Sequence, residues 1–169
     1  MHIEKNIRTR RAVPLLAVLL GALAACDLPG KFPVYQGDVT VGPFVKYPAN
    51  PVLPRGTAAG AFDAAAVSSP SVLAEKGGPL RMYYAAVDAA GQFTIGLATS
   101  AEGLIWERGS APVITPTAGA FDERGVSDPG AFFDGERYWV FFTAHDKEGM
   151  TRIGVASSGD GASFEKGAS

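Results

Sequence analysis

Short apolar runs alternate with Asp-Gly and Gly-rich turns along the chain after about residue 40, and this pattern predicts β-strands. In the second half of the chain the predicted strands cover residues 130–133, 137–144 and 152–157, with a last one around Phe164. Asp-Gly pairs at 134–135 and 160–161 lie between them, and this dipeptide favours a tight hairpin because both residues tolerate positive φ. No amphipathic helix is predicted in this part of the chain, so the predicted fold class is all-β.

One of these runs is too apolar for a strand that faces water on one side. Residues 137–142 read Arg-Tyr-Trp-Val-Phe-Phe, with large apolar or aromatic side chains at both alternating sets of positions. Successive side chains of a strand point to opposite faces of its sheet, so both faces of this strand are predicted to be covered. The prediction is an inner strand of a sheet packed between two neighbouring layers.

The strand pattern occurs twice. GAFD at 60–63, VSSP at 67–70, IGLATS at 95–100 and Trp106 are followed by GAFD at 119–122, VSDP at 126–129, IGVASS at 153–158 and Phe164. The offset is 59 as far as Ala85 and Ala144, and 58 from Ile95 and Ile153 onward. A period near this length with several short strands and Gly/aromatic signatures is typical of a β-propeller blade. We therefore predict blades of four antiparallel strands, at about residues 50–110 and 111–169.

A third, partial copy lies upstream. Phe44, followed by Pro51-Val52, parallels Trp106, followed by Pro112-Val113, so Phe44 is predicted in the outer strand of a preceding blade. Closed propellers have about 4–8 blades, and each blade needs neighbours on both sides. We therefore expect these two blades to belong to a propeller roughly twice this length. The alternative is that several chains assemble to close the ring.

The N-terminus has the layout of an export signal. Lys5, Arg8, Arg10 and Arg11 precede an apolar run over residues 12–25, which is short for a membrane span and suits a signal-peptide core. Leu23-Ala-Ala-Cys26 resembles the lipobox of bacterial lipoproteins, and Cys26 is the single cysteine of the chain. We predict a signal peptide at 1–25, a lipidated Cys26, a tether over 26–40 and a partial propeller over 41–169. The alternative is an ordinary secretory signal with a chance cysteine.

Charge and residue counts narrow the function. Removal of the first 26 residues takes away four of 15 Lys/Arg and one of 17 Asp/Glu, which leaves a net charge of −5. An acidic domain is a poor nucleic-acid binder. His145 is the single histidine of the mature part, so a multi-histidine zinc site is excluded, and neither a metal nor another cofactor is predicted. The predicted location is the bacterial cell envelope, periplasmic or outer surface, with a membrane anchor at Cys26.

The blade motifs resemble a known superfamily. The run DPGAFFDGERYWVFFTA at 128–144 and the pattern IGLATSxxGxxW at 95–106 are similar to those of the five-bladed propeller glycosidases, the group that contains glycoside hydrolase families 43 and 32. The resemblance covers residues 44–166. It implies a carbohydrate substrate or ligand and hydrolysis of glycosidic bonds by the intact parent protein, for which a glycosidase needs at least two carboxyl groups.

The resemblance also singles out candidate site residues. In that superfamily aspartates lie at or just before the inner strand of the first two blades, and Asp128 in Ser-Asp-Pro matches this position. Its implied role is transition-state stabiliser or pKa modulator. The counterpart in the first repeat is Ser69, and a serine cannot replace a nucleophilic or basic aspartate. Asp63 and Asp122, in the two GAFD segments, are weaker candidates for substrate binding, because their repetition in both blades favours a structural role, in which each carboxylate bonds to backbone groups of its turn.

Several alternatives remain open at this stage. Loss of the catalytic set, which Ser69 favours, would leave a propeller that binds a glycan without cleaving it. A structural or interaction propeller without a sugar site is the third possibility. His145-Asp146 is predicted in a loop, and a Ser-His-Asp hydrolase is not favoured because no GxSxG elbow is present. We expect no enzymatic activity from these two blades alone.

The anchor is directly testable. If Cys26 is lipidated, Cys26→Ala should release the protein from membranes or block its processing, because acyl chains contribute about 0.8 kcal/mol per buried methylene. Membrane fractionation, with mass spectrometry of the mature N-terminus, measures both effects. Unchanged fractionation together with an unmodified N-terminus would contradict lipidation.

Overall fold

The computed structural model describes residues 42–167, so the predictions for the signal peptide, Cys26 and the tether lie outside the described residues. All regular elements of this part are strands, which confirms the all-β fold class. None of the elements described is a helix that could cross a membrane. The strands are β1 (Ala66–Ala74), β2 (Leu80–Val87), β3 (Phe93–Ser100), β4 (Glu107–Arg108), β5 (Gly125–Phe133), β6 (Tyr138–His145), β7 (Thr151–Ser158) and β8 (Glu165–Lys166).

The strands form two units of four antiparallel strands in chain order, as the repeat predicts. We call β1–β4 blade 1 and β5–β8 blade 2. The first strand of each blade has a register shift, between Ser68 and Ser71 in β1 and between Ser127 and Gly130 in β5. β5 starts five residues earlier than predicted, because the strand continues on the N-terminal side of this bulge.

The structure corrects the alignment of the two repeats. Val72 pairs with Met82 in blade 1, and Ala131 pairs with Val140 in blade 2. The offset is therefore 59 in the first strands and already 58 in the second strands. The missing residue lies in the turn between these strands, and not after Ala85 as the sequence comparison indicated. In β2 and β6 most successive residues are apolar and of similar size, so the two sequences match at an offset of 58 as well as at 59.

A glycine in the third strand fixes this register in each blade. Tyr84 lies across from Gly96, and Phe142 lies across from Gly154. A Cβ atom on either glycine would stand 2.5 Å from a ring atom of the opposite aromatic residue. Each ring therefore occupies the space above a glycine backbone, and a one-residue slip would replace that space with a side chain.

The largest apolar core lies between the two blades. One face of blade 1 contributes Tyr83, Ile95 and Leu97, and blade 2 contributes Val126, Val140, Phe142, Ala144 and Ala156. Ile114, in the connection between blades, joins this core and pairs with Ile95. Burial of these side chains is the main force that holds the two sheets together.

Polar contacts also cross this interface at the end formed by the β1–β2 turn. The Tyr138 hydroxyl donates to Glu75 Oε2 at 2.7 Å, and Arg81 Nε donates to Glu75 Oε1 at 2.9 Å. The Arg81 guanidinium also lies 4.9 Å from the centre of the Tyr138 ring. These hydrogen bonds lower the pKa of Glu75, so the carboxylate stays ionised and keeps both partners at neutral pH.

The outer face of blade 2 is exposed. Phe141 and Ile153 are 45% and 74% accessible, and the rings of Phe132, Trp139 and Phe141 lie nearly parallel on the same face. The predicted coverage of both faces therefore holds for only one face in the part of the propeller described. The predicted outer strand around Phe44 is not formed within residues 42–167, and Phe44 is 94% exposed, because none of the described strands pairs with this segment.

Adjacent residues of β6 allow a matched test of this packing. Phe142→Ala should lower the free energy of unfolding by about 3–5 kcal/mol, because it empties the core between the blades. Phe141→Ala should change it little and should reduce self-association, because it removes an exposed apolar ring. Denaturant unfolding and light scattering measure the two effects. Equal stability losses in the two variants would show that the blade interface is not the core of this fold.

Candidate functional site

Asp128 lies on the bulge in the first strand of blade 2. Its φ is 50°, a left-handed conformation that is rare outside glycine and costs on the order of 1–3 kcal/mol. The register shift between Ser127 and Gly130 takes Asp128 out of the cross-strand pairing with β6, and its side chain is exposed. Strained residues of this kind are often found at functional sites.

Ser69 has the same geometry in blade 1. Its φ is 48°, it also precedes a proline, and it lies on the corresponding bulge. The two bulges adjoin each other, because the Ser69 hydroxyl donates a hydrogen bond of 2.7 Å to Asp128 Oδ1. Ser71 Oγ accepts a second bond between these strands, from the Ala131 amide at 3.0 Å. The repeat thus brings equivalent residues of the two blades into direct contact.

The second carboxylate oxygen is held from within blade 2. Ser127 Oγ donates to Asp128 Oδ2 at 2.8 Å and lies 2.9 Å from His145 Nε2. The Ser69 bond, followed by the Ser127 bond, lowers the pKa of Asp128, although burial opposes this shift; the charge of His145 and a bond from Thr143 act in the same direction. Asp128 is therefore an ionised carboxylate at neutral pH.

Ser127, His145 and Asp128 do not form a hydrolase triad. In a Ser-His-Asp triad the carboxylate bonds to the imidazole and leaves the serine oxygen free to attack. Here the carboxylate bonds to the serine, and Ser127 is buried. His145 is the last residue of β6, although the sequence predicted a loop.

A groove of about 430 Å³ next to His145 is lined by Phe93, Arg124 and the turn after β6.

Asp63 and Asp122 are fully buried at equivalent positions of the two blades. Each pairs with a cation of the last strand of its own blade: Asp63 with Arg108 and Asp122 with Lys166. Asp63 also accepts the Tyr84 hydroxyl at 3.1 Å, and Asp122 accepts the Thr117 amide at 3.2 Å. Their predicted contact with a sugar stays a prediction, whereas this placement favours the structural alternative. The sequence indicated backbone partners and missed the ion pairs.

The aromatic residues of the second strand of each blade are mostly in the core. Tyr83 and Tyr84 are fully buried, and desolvation raises the pKa of both hydroxyls. Trp139 is half-buried, and its indole donates to Asp134 Oδ2 at 2.6 Å. Across residues 42–167 no group of three or more His, Cys, Asp or Glu side chains is arranged to hold a metal ion.

Sequence reasoning did not select Ser127, and it considered His145 but assigned it to a loop without a role in the site. Ser127 has a serine counterpart, Ser68, in blade 1, so comparison of the repeats does not mark it. His145 stands where blade 1 has Val87, because the offset is 58 in the second strands. A titratable residue in place of an apolar one is a difference between repeats that could have singled out His145.

Comparison with known proteins agrees with the fold. Residues 53–166 match the model of glycoside hydrolase family 130, described as β-1,4-mannooligosaccharide phosphorylase. A glycosyl hydrolase from Bacteroides ovatus superposes with a TM-score of 0.62 at 21% identity, over 72% of this chain and 39% of that one. A family 117 glycoside hydrolase from Zobellia galactanivorans superposes with a TM-score of 0.53 at 17% identity, over 64% of this chain and 39% of that one. No curated protein sequence matches the chain.

One further structure belongs to the GH130 mannoside phosphorylases, a family with glycoside hydrolases that target β-1,2 mannosidic linkages in Candida mannan. It superposes with a TM-score of 0.51 at 20% identity, over 60% of this chain and 31% of that one. The chain thus spans well under half the length of these structures. The predicted resemblance to propeller glycosidases is confirmed, with family 130 as the family that matches.

The ion pairs inside the blades can be tested separately from any activity. Arg108→Met should lower the free energy of unfolding by about 3–5 kcal/mol, because it leaves the Asp63 carboxylate buried without its cation. Lys147→Met is the control, since its pair with Glu148 is exposed and 3.8 Å long, and it should cost less than about 0.5 kcal/mol. The double variant D63N/R108M should recover part of the loss. An Arg108→Met variant as stable as the control would contradict the structural role of Asp63.

Proposed function

The chain belongs to glycoside hydrolase family 130, and on this premise we propose that it is part of a propeller that binds and cleaves a carbohydrate at Asp128. The support is the carboxylate itself: it is exposed, it lies on a strained bulge, and hydroxyl groups from two blades hold both of its oxygens. Fixed charges of this kind stabilise charge that develops in a transition state. The proposed substrate class is β-mannosides, by similarity to the family.

The ionised state of Asp128 limits the role that its carboxylate can have in bond cleavage. Glycosidic bond cleavage proceeds through a transition state with positive charge on the sugar ring, and the leaving oxygen must be protonated. Asp128 is ionised at neutral pH, so it suits stabilisation of that positive charge, or acceptance of a proton, rather than proton donation. Ser69 supplies no second carboxyl group. The proton donor must therefore be a group other than Asp128 and Ser69.

The nucleophile distinguishes two versions of this function. Hydrolysis uses water, as the resemblance to the wider superfamily implies, whereas a phosphorylase uses inorganic phosphate, as the family description implies. Both versions require Asp128 to be an ionised carboxylate. Product analysis separates them, because phosphorolysis yields a sugar 1-phosphate and hydrolysis yields the free sugar.

A binding propeller without catalysis is the second candidate. The observation that favours it is Ser69, since the two adjoining bulges together carry one carboxylate where two would be available in a catalytic pair. In this version the same site would hold a glycan through hydrogen bonds and stacking. Affinity for a glycan in the absence of turnover would identify it.

We also propose that the protein acts in the bacterial cell envelope, with Cys26 as its lipid anchor. The support is the basic and apolar N-terminal segment that ends in Leu-Ala-Ala-Cys. An anchored propeller would meet its carbohydrate at or beyond the membrane surface.

Asp128→Asn tests the proposed site because it keeps the shape and removes the charge. In the full-length protein, turnover of β-mannosides should fall by a factor on the order of hundreds, since loss of transition-state electrostatics typically costs a few kcal/mol. Ser68→Ala, on the first strand of blade 1 and outside the bonds to Asp128, should leave turnover unchanged. Undiminished turnover of Asp128→Asn would remove the residue from the site, and binding without turnover in the unmodified protein would favour the second candidate.

A further inference from the structure

The main chain alone does not fix the position of Asp128. The register shift between β5 and β6 leaves Asp128 without a cross-strand partner, so the pairing of these strands does not hold its backbone. The left-handed φ of Asp128 is also a sparsely populated conformation. The carboxylate is nevertheless bonded at both oxygens. The side chains around Asp128 must therefore supply the orientation that the strand ladder does not.

Hydrogen-bond directions around Asp128 follow from its charge. An ionised carboxylate can only accept, so the hydroxyl protons of Ser69 and Ser127 both point to Asp128. Ser127 has one proton, and it is used in this bond. The oxygen of Ser127 must then accept from His145 Nε2, 2.9 Å away, so this nitrogen carries a proton. The result is a directed chain from His145 through Ser127 to Asp128.

Blade 1 lacks this chain at the equivalent place. The counterparts of Ser127 and His145 are Ser68 and Val87, and Val87 can donate no hydrogen bond. The bulge of blade 1 also carries Ser69 instead of a carboxylate. The imidazole and the carboxylate thus occur together in blade 2 and are both absent from the same positions in blade 1.

We propose that Ser69 and His145 are positioning residues for Asp128, Ser69 directly from the neighbouring blade and His145 through Ser127. The inference rests on the proposed function in one respect only, that Asp128 is the carboxylate used by the site. Ser69 makes the orientation of Asp128 depend on the packing of blade 1 against blade 2. His145 keeps the Ser127 hydroxyl proton directed at Asp128 rather than at another acceptor.

The side chains that face Asp128 come from three strands. Ser69 lies on β1, Ser127 on β5, and Thr143 and His145 on β6. The three hydroxyl groups carry no charge at any pH of interest, so the imidazole of His145 is the one titratable group among these four side chains. The loss of any donor should therefore raise the pKa of Asp128 toward its ordinary value.

The experiment is a carbon-13 NMR titration of the Asp128 carboxyl in the full chain, which requires no activity. Ser69→Ala should raise the pKa of Asp128 by about one unit, since it removes a hydrogen bond to the charged form. His145→Val, which introduces the residue of blade 1, should raise it by about half a unit. His145→Gln keeps an N–H donor near the same place and should restore most of the shift.

The controls separate positioning from folding. Ser68→Ala should leave the pKa of Asp128 unchanged, and Ser69→Thr, which keeps the hydroxyl, should behave as the unmodified chain. Amide spectra that match the unmodified chain establish that a variant is folded. A folded His145→Val with an unaltered Asp128 titration would overturn the role of His145, and the same result for Ser69→Ala would overturn that of Ser69. Because the titration is read without substrate, these outcomes stand whether or not the protein cleaves mannosides.

Discussion

The packing of one sheet face against another is the constraint on which the rest of the structure depends. Each blade has an apolar side chain set on both faces, so no blade is stable in water with both faces exposed. Tyr83, Ile95 and Leu97 of blade 1 pack against β6 and β7 residues of blade 2. Within residues 42–167 this contact covers the face that each blade turns to the other. The same contact brings the two inner bulges together, so it positions Ser69 against Asp128. Core packing and site geometry are consequences of a single interface.

Most of the architecture could be predicted from the sequence because the repeat and the hairpin turns are local signals. The four strands per blade and the Asp-Gly turns between them follow from residues close in sequence, whereas Asp128 was selected by the family resemblance and by its difference from Ser69. The alignment of the second strands could not be predicted, since Tyr83-Tyr84 and Phe141-Phe142 match in two registers. Gly96 and Gly154 resolve the register only when the strand opposite is known.

Contacts between distant residues were the part that sequence reasoning missed. Asp63 and Arg108 are 45 residues apart, and their pairing depends on the first loop and the last strand of a blade meeting at one place. Ser127 and His145 meet because β5 and β6 pair in a particular register next to a bulge. In both cases a polar residue type marked a position, but its partner was set by the fold. A carboxylate repeated in every copy proved to be buried, whereas the one that differs between copies is exposed.

The matching backbone at Ser69 and Asp128 has a consequence for how such a protein can change over generations. With φ values of 48° and 50° before a proline in both blades, the two positions are interchangeable frames for a side chain. One codon change can add or delete a carboxylate, and two changes can move it from one blade to its neighbour, without new loop geometry. A propeller built by duplication of blades thus has a set of equivalent residue positions around its axis. Its chemistry can diversify by redistributing side chains among them while the scaffold stays constant.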